Sequence, residues 1–393
     1  MRIGLDFFSL VPGAGRGGGF HRYATGLVNG LRDLGTGDEY VLFTNWLSAS
    51  MFPCGGAVSQ VVVRLPPQRM LWPFRLAWQH ALLPVLARRH RLDLMHFPMD
   101  TASFRVGLPY VVTTNDVIAD VYYPEHYPGS VNPLKARYLF TAKRRSARRA
   151  RRVICPSEAT AREVSRHYGV APDLITIVPD GVDHGLFARD RTQPPDVPPY
   201  VLSVVSLSPH KNVETLIRAF ALARQRYRLP HELRLIGMAG TDASPVTRAI
   251  QRAIEDGVPV RHLGFVDEQT LALAFAGASL FVFLSHVEGF GLPPLEAMAS
   301  GAPVIASNVS SIPEVCGDAA WLISPDDVDA AAEAIAQVLT TPQLASRLAA
   351  AGRERARTFS WTETARRTRE VYVRVLSEHA AGASTIESAG SGA

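Results

Sequence analysis

Leu280-Phe281-Val282-Phe283-Leu284-Ser285-His286-Val287-Glu288-Gly289-Phe290-Gly291-Leu292-Pro293-Pro294-Leu295-Glu296 decides the reading of this chain. Its first five residues form a short continuous apolar run, the pattern of a strand buried on both faces. Gly289 and Gly291 then make a loop that lets a ligand approach the backbone closely, and the prolines suit a first helical turn. A short helix is predicted over Leu295 to Ser300, with Gly301 where a left-handed C-terminal cap belongs. Val304-Ile305-Ala306 begins another buried strand. The whole is a strand–glycine loop–helix–strand unit. Backbone N–H groups and a partial positive charge at the start of such a helix hold phosphate.

Glu288 and Glu296 flank the loop with seven residues between them. Taken alone, Glu296 is a favourable acid in a first helical turn and Glu288 a loop acid. A phosphate site between two carboxylates also suits a sugar nucleotide, whose ribose and hexose both offer vicinal hydroxyls as donors. The stretch closely resembles the glutamate–seven residues–glutamate signature of retaining glycosyltransferases, group 1, mannosyltransferase-like. The continuation Ala302 to Asn308 and Ser311-Ile312-Pro313-Glu314-Val315 is similar to the same family. The resemblance implies an α/β fold of two facing Rossmann-like domains, the GT-B architecture, with a C-terminal helix crossing back to the first domain.

At 393 residues the chain exceeds one ordinary core, and two domains are expected. An apolar content of 47% with 20% charged residues is that of a globular protein. Cys54, Cys155 and Cys316 stand far apart and give neither a disulfide framework nor a metal set, which suits a reducing cytoplasm. The net charge of +5 comes almost wholly from arginine, with lysine only at 135, 143 and 211. Met1 to Phe7 reads as a first strand and not a signal peptide, because Asp6 interrupts a short apolar run. The uncharged stretch Thr270 to Val287 is divided by Gly277, Ser279 and His286, so helix-then-strand explains it better than a membrane span.

These divisions give residues 1–188 as a first domain, completed by a terminal helix over 360–378. A proline-rich linker follows over 189–199, then a second domain over 200–358 and an unstructured tail over 380–393. In the family the first domain takes the acceptor and the second grips the donor.

Gly13, Gly15 and Gly18 match a dinucleotide fingerprint. However, Ser9 to Pro12 separate them from the strand, and the second strand, Tyr40 to Thr44, ends in Asn45 where a ribose-binding acid should sit. The resemblance instead puts Gly18 and Gly19 near the transferring sugar. Trp72, Trp78, Leu82, Leu83 and Leu86 fit one helix face and are expected in the core, while His96 is expected to reach the cleft. Tyr110 to Thr114 reads as a buried strand ending in Asn115-Asp116, at the strand end where ligands gather in parallel sheets. Relatives usually carry histidine at the position of Asn115, contacting the sugar. Asparagine can form hydrogen bonds there but cannot titrate near neutrality.

Residues 135–152 hold nine basic side chains and no acidic one. Arg144, Arg145, Arg148, Arg149 and Arg152 form a stripe opposite Ala136, Leu139, Phe140, Ala147 and Ala150. Such a stripe is either a solvated helix face or a surface for anionic lipid headgroups or a lipid diphosphate acceptor. No interleaved aromatics support nucleic acid. Ser157 is a plausible N-cap before another helix, and Ile177 to Asp183 again resembles the family.

In the second half, Tyr200 to Val205 is a buried strand, followed by a turn, Ser206 to Asn212, and a helix from Val213. In the family a lysine like Lys211 pairs with the donor diphosphate as a point charge. Relatives commonly have a glycine–arginine pair where Val205 and Ser206 stand, and His210 is the candidate to replace the missing cation. Phe265 and Val266 lie in a segment whose backbone edges the nucleotide base in the family. Asp326-Asp327 is predicted to begin the last helix of the domain, Val328 to Leu339.

The expected site therefore joins Glu288, Lys211, Asn115 and Asp116 as catalytic residues. Gly18, Gly19, Ser206, His210, Lys211, Phe265, Val266, Gly289, Phe290, Gly291, Leu292 and Glu296 are expected on the donor, with no metal and no cofactor. Glu296 would bind ribose hydroxyls, and Glu288 would orient the sugar and oppose its positive charge. The implied reaction moves a hexose, mannose by the family's frequent donors, from a nucleotide-diphosphate sugar to a glycan or lipid-linked acceptor in cell-envelope or exopolysaccharide synthesis. It would run in the cytoplasm or at the inner face of the membrane. Two alternatives are a nucleotide-sugar epimerase of the same architecture, which would need acid–base residues that Asn115 does not provide, and a non-catalytic sugar-nucleotide-binding relative.

Overall fold

The computed structural model describes residues 1–11, 19–52, 54–66, 71–120, 122, 133–188, 198–206, 208–237 and 245–390, with backbone alone at 71–73, 133–136, 245 and 382–390. The chain divides into two compact units, Met1–Gly181 with Trp361–Ala393, and Val182–Ser360. The division falls at Gly181, ahead of the boundary expected at 188, and most of the expected linker (189–197) lies outside the described residues.

The first unit is built on seven parallel strands: β1 (Arg2–Asp6), β2 (Glu39–Asn45), β3 (Val58–Val63), β4 (Leu94–Phe97), β5 (Tyr110–Thr113), β6 (Arg152–Cys155) and β7 (Ile175–Ile177), in the order β3-β2-β1-β4-β5-β6-β7. The second has β8 (Tyr200–Val204), β9 (Glu232–Ile236), β10 (Val260–His262), β11 (Leu280–Phe283), β12 (Val304–Ser307) and β13 (Trp321–Ile323), in the order β10-β9-β8-β11-β12-β13. All described pairings within both sheets are parallel. The central strands β4, β5, β6, β11 and β12 are buried at every residue, and β11 accordingly reads as an unbroken apolar run. Both sheets reverse their winding once, between β1 and β4 in the first and between β8 and β11 in the second. Loops leaving the carboxyl ends on either side of such a reversal diverge and leave a crevice.

In the first unit the terminal helix Trp361–Gly390 packs on the helix Gly19–Asp33 through two glycines. A Cβ at Gly26 would fall 2.2 Å from Trp361 Cδ2, and one at Gly30 2.5 Å from the Trp361 carbonyl oxygen. The same helix places Tyr372 in the core, where its hydroxyl meets His96 Nδ1 at 2.6 Å, while His96 Nε2 meets Thr113 Oγ1 at 2.7 Å. His96 is fully buried, not cleft-facing, and burial holds its pKa down to about 3. Ser157 does cap its helix, accepting from the Thr160 N–H at 3.1 Å.

Several local expectations are corrected. Trp78 and Leu83 are core residues, but Leu82 is 43% exposed, because residues 78–82 form a π-helical turn that breaks the 3.6-residue period. The Trp72 side chain lies outside the described residues. The basic stripe is thinner than its spacing implies. Arg152 belongs to β6, is buried, and its Nη2 lies 2.5 Å from Glu378 Oε1. Lys143 turns inward to Asp120 at 2.8 Å and Asp100 at 3.5 Å. Arg144, Arg145, Arg148 and Arg149 remain exposed on the helix Pro133–Arg149, and the Lys135 side chain is not described. In the second unit the helix Val328–Thr340 is followed by another, Pro342–Arg357. The terminal helix runs on past Ala380, where composition predicts an unstructured tail.

The glycine contacts set a test. Gly26→Ala should overpack the helix pair and destabilise the protein by about 1–3 kcal/mol. A melting temperature equal to the wild type's would show that the two helices do not need this close approach.

Candidate active site

The reversal between β8 and β11 brings together residues far apart in sequence. After β8 the chain makes a 3₁₀ turn, Pro209–Lys211, and Asn212 takes a left-handed conformation (φ +52°), its side chain donating to the Pro325 carbonyl at 2.8 Å. After β11 the loop 285–291 leads to the helix Leu292–Ala299. This helix starts three residues before the expected Leu295, because Gly291 (φ +115°) is its N-cap and the prolines occupy the first turn. Gly301, at φ +72°, ends it in the left-handed region as expected.

Lys211 Nζ lies 2.5 Å from Glu288 Oε1, with both side chains largely buried. The ammonium also sits 5.2 Å from the centre of the Phe283 ring. Glu296 is 1% exposed on the same helix that the loop feeds. Pro293 and Pro294 carry no N–H, so the first turn of this helix offers fewer backbone donors than an ordinary one. The loop is held by two hydroxyls from the turn after β12. Ser310 Oγ accepts from the Glu288 N–H at 3.1 Å and donates to the Glu288 carbonyl at 2.7 Å. Ser311 Oγ reaches the carbonyls of Glu288 at 3.0 Å and Phe290 at 2.7 Å.

His210 is buried beside the lysine, and its carbonyl accepts from the His286 N–H at 2.8 Å. Burial first, then the Lys211 charge and His286, push its pKa down to about 3. The ring is therefore neutral near pH 7 and does not replace the cation absent at position 206, where the Ser206 hydroxyl contacts Ser208 at 3.1 Å. Gly237 closes the β9 side of the site. A Cβ there would fall 1.7 Å from the Val205 carbonyl oxygen, and the Gly237 N–H donates to the Gly264 carbonyl at 2.9 Å. Next to Gly264, Phe265 is 70% exposed and Val266 half-buried.

In the first unit Asn115 and Asp116 follow β5. The Asn115 amide donates to the Pro98 carbonyl at 3.2 Å, and Asp116 Oδ1 accepts from the Ile118 N–H at 2.9 Å. Gly19 opens the first helix, and Gly18 lies outside the described residues. Among the described residues no three His, Cys, Asp or Glu side chains converge as a metal ion would require. Ser206, His210, Lys211, Glu288 to Leu292 and Glu296 thus share one unit, with Lys211 and Glu288 in direct contact. Asn115, Asp116 and Gly19 belong to the other unit.

Residues 187–355 match the family Glycosyl transferases group 1, and residues 17–186 match Glycosyltransferase Family 4. The O-antigen chain mannosyltransferase B of Escherichia coli is 30% identical over 77% of this chain and 78% of its own length. The MMP alpha-(1->4)-mannosyltransferase of Mycolicibacterium hassiacum is 30% identical over 75% of this chain and 73% of its own. The chain belongs to the glycosyltransferase group 1 and family 4 proteins and is a glycosyltransferase. Its fold is that of a sucrose-phosphate synthase from Thermosynechococcus elongatus, which superposes with a TM-score of 0.77 at 22% identity, covering 96% of this chain and 100% of the other. That likeness places both Rossmann-like units in the GT-B architecture.

Burying a neutral His210 links stability to pH. The unfolded ring titrates near 6.5 and the folded ring near 3, so its contribution is complete above pH 6.5 and is lost as pH falls toward 3. At pH 4.5 the loss is about 3 kcal/mol. His210→Asn should therefore melt at a temperature that declines less steeply than the wild type's between pH 6.5 and 4.5. Parallel melting curves across that range would rule out a buried neutral ring.

Proposed function

We propose that this glycosyltransferase moves mannose, with retention at the anomeric carbon, from a nucleotide-diphosphate sugar to a glycan or lipid-linked acceptor of the cell envelope or an exopolysaccharide. The observation that carries this reading is the contact between Lys211 and Glu288 beside an amide-rich loop at the winding reversal of the second sheet. The names of the relatives, both mannosyltransferases, support the choice of sugar.

The second unit serves as the donor domain. Lys211 and the amides of 289–292 stabilise the charge that grows on the diphosphate as the glycosidic bond breaks. Glu288 orients the hexose and opposes its oxocarbenium-like charge, and Glu296 takes the ribose hydroxyls. Ser206, His210, Phe265 and Val266 border the nucleotide, with His210 acting as a neutral hydrogen-bonding ring. The first unit serves the acceptor, and Gly19, Asn115 and Asp116 belong to it. The acceptor oxygen bonds to the anomeric carbon on the face the diphosphate leaves, and the departing phosphate oxygen receives the hydroxyl proton. A binding-only relative is the second reading, favoured by Asn115 and Ser206 standing where relatives carry a histidine and an arginine.

A thermal-shift panel of GDP, UDP, GDP-mannose and UDP-glucose tests the donor site, since binding raises the melting temperature with ligand concentration over Kd. GDP-mannose should stabilise the wild type and should stabilise Lys211→Ala far less. Equal shifts in the two proteins would remove Lys211 from the site. Shifts without any release of GDP in the presence of membrane extract would favour the binding-only reading.

Among the described residues no helix is long and apolar enough to cross a membrane. Peripheral contact with anionic lipid at the inner face of the membrane rests on Arg144, Arg145, Arg148 and Arg149, exposed on one helix. Replacing all four by glutamine should reduce co-sedimentation with phosphatidylglycerol vesicles. Undiminished co-sedimentation would leave the stripe as a solvated face.

A further inference from the structure

We infer that Ser310 and Ser311, in the turn between β12 and the helix Ile312–Cys316, are positioning residues that set Glu288 for the reaction. The inference rests on the role proposed for Glu288. Loop 285–291 lies outside helix and strand, so its backbone groups need partners from elsewhere. At Glu288 both backbone groups find the same hydroxyl, because Ser310 Oγ takes its N–H and donates to its carbonyl. Pinning both sides of one residue fixes where its side chain leaves the backbone, and that side chain is the one 2.5 Å from Lys211.

Two further features show that the turn is committed to this task. Ser310 holds a left-handed backbone (φ +59°), a conformation a serine adopts only when its surroundings impose it. Ser311 is the N-cap residue of the helix Ile312–Cys316, where serine ordinarily caps its own helix, yet it makes no capping bond. Its hydroxyl is turned to the Glu288 and Phe290 carbonyls, two residues apart on the loop. The next residue, Ile312, closes the far end, since a Cβ on Gly291 would fall 2.7 Å from Ile312 Cδ1. The turn therefore holds the loop at 288, 290 and 291.

The test compares Ser310→Gly, Ser311→Ala and Glu288→Gln with the wild type. Readouts are GDP release from GDP-mannose and UDP release from UDP-glucose with membrane extract, melting temperature, and deuterium exchange over 288–291. Ser310→Gly suits the left-handed backbone, so the fold is retained while both hydrogen bonds are lost. In it and in Ser311→Ala, kcat should fall about 10- to 100-fold, the cost of a small misplacement. KM for the sugar nucleotide should stay within about threefold, and exchange over 288–291 should quicken. Because the serines act through Glu288, adding either change to Glu288→Gln should cost nothing more. A kcat within twofold of wild type, or a full further loss in the Glu288→Gln background, overturns the inference. If the wild type turns over neither sugar nucleotide, the reading of Glu288 fails instead. Unchanged exchange in Ser310→Gly then overturns the clamp as well, and faster exchange retains it as a structural hold on the loop.

Discussion

The ion pair between Lys211 and Glu288 joins residues 77 apart in sequence, and the winding of the second sheet is what makes it reachable. β8 and β11 are neighbours, but the chain leaves them in opposite senses, one toward β9 and the other toward β12. Their carboxyl-terminal loops therefore do not cover each other, and the space above them is open to side chains from both. A lysine just past one strand and a glutamate just past the other meet there. Had the sheet continued winding in one sense, a crossover helix would lie over one of these loops.

The strand–loop–helix–strand unit was legible because its signals are local. An apolar run, two glycines, two prolines and a terminal glycine each fix one backbone feature, and a helix between the loop and Gly301 follows from them. Its true start escaped because Gly291 caps it without a side chain, so no serine, threonine or aspartate marks the boundary. The contact of Lys211 with Glu288 was not legible from spacing, since sheet order is a long-range property. Likeness to a family put both residues in one site, with Lys211 on the donor diphosphate and not on Glu288. Ser310 and Ser311 were missed for a plainer reason: hydroxyls that hold a distant loop look, in sequence, like ordinary turn residues.

His96 and Arg152 failed in the opposite direction, as polar residues expected outward and found inside. Each has a partner on the terminal helix, Tyr372 for His96 and Glu378 for Arg152. No periodicity within strands β4 or β6 could reveal that partner. A buried polar side chain is tolerated where hydrogen bonds await it, and here they are supplied from the other end of the chain. The terminal helix thus completes the polar interior of the first unit as well as its apolar core, which explains why Gly26 and Gly30 yield space to Trp361.

Charge sets the last constraint on the donor site. A departing nucleoside diphosphate carries more negative charge than one lysine balances, and Ser206 and the neutral His210 add no cation. Lys211 is in addition already shared with Glu288. On the function proposed here, oriented backbone amides supply part of the remaining stabilisation, with directions fixed by the shape of the loop. A site that relies on amides in this way depends on loop geometry more strongly than one with a second arginine, because an amide cannot swing toward its target as a long side chain can. On that reading the hydrogen bonds from Ser310 and Ser311, and the prolines that open the neighbouring helix and leave few alternative conformations, hold those amides in place.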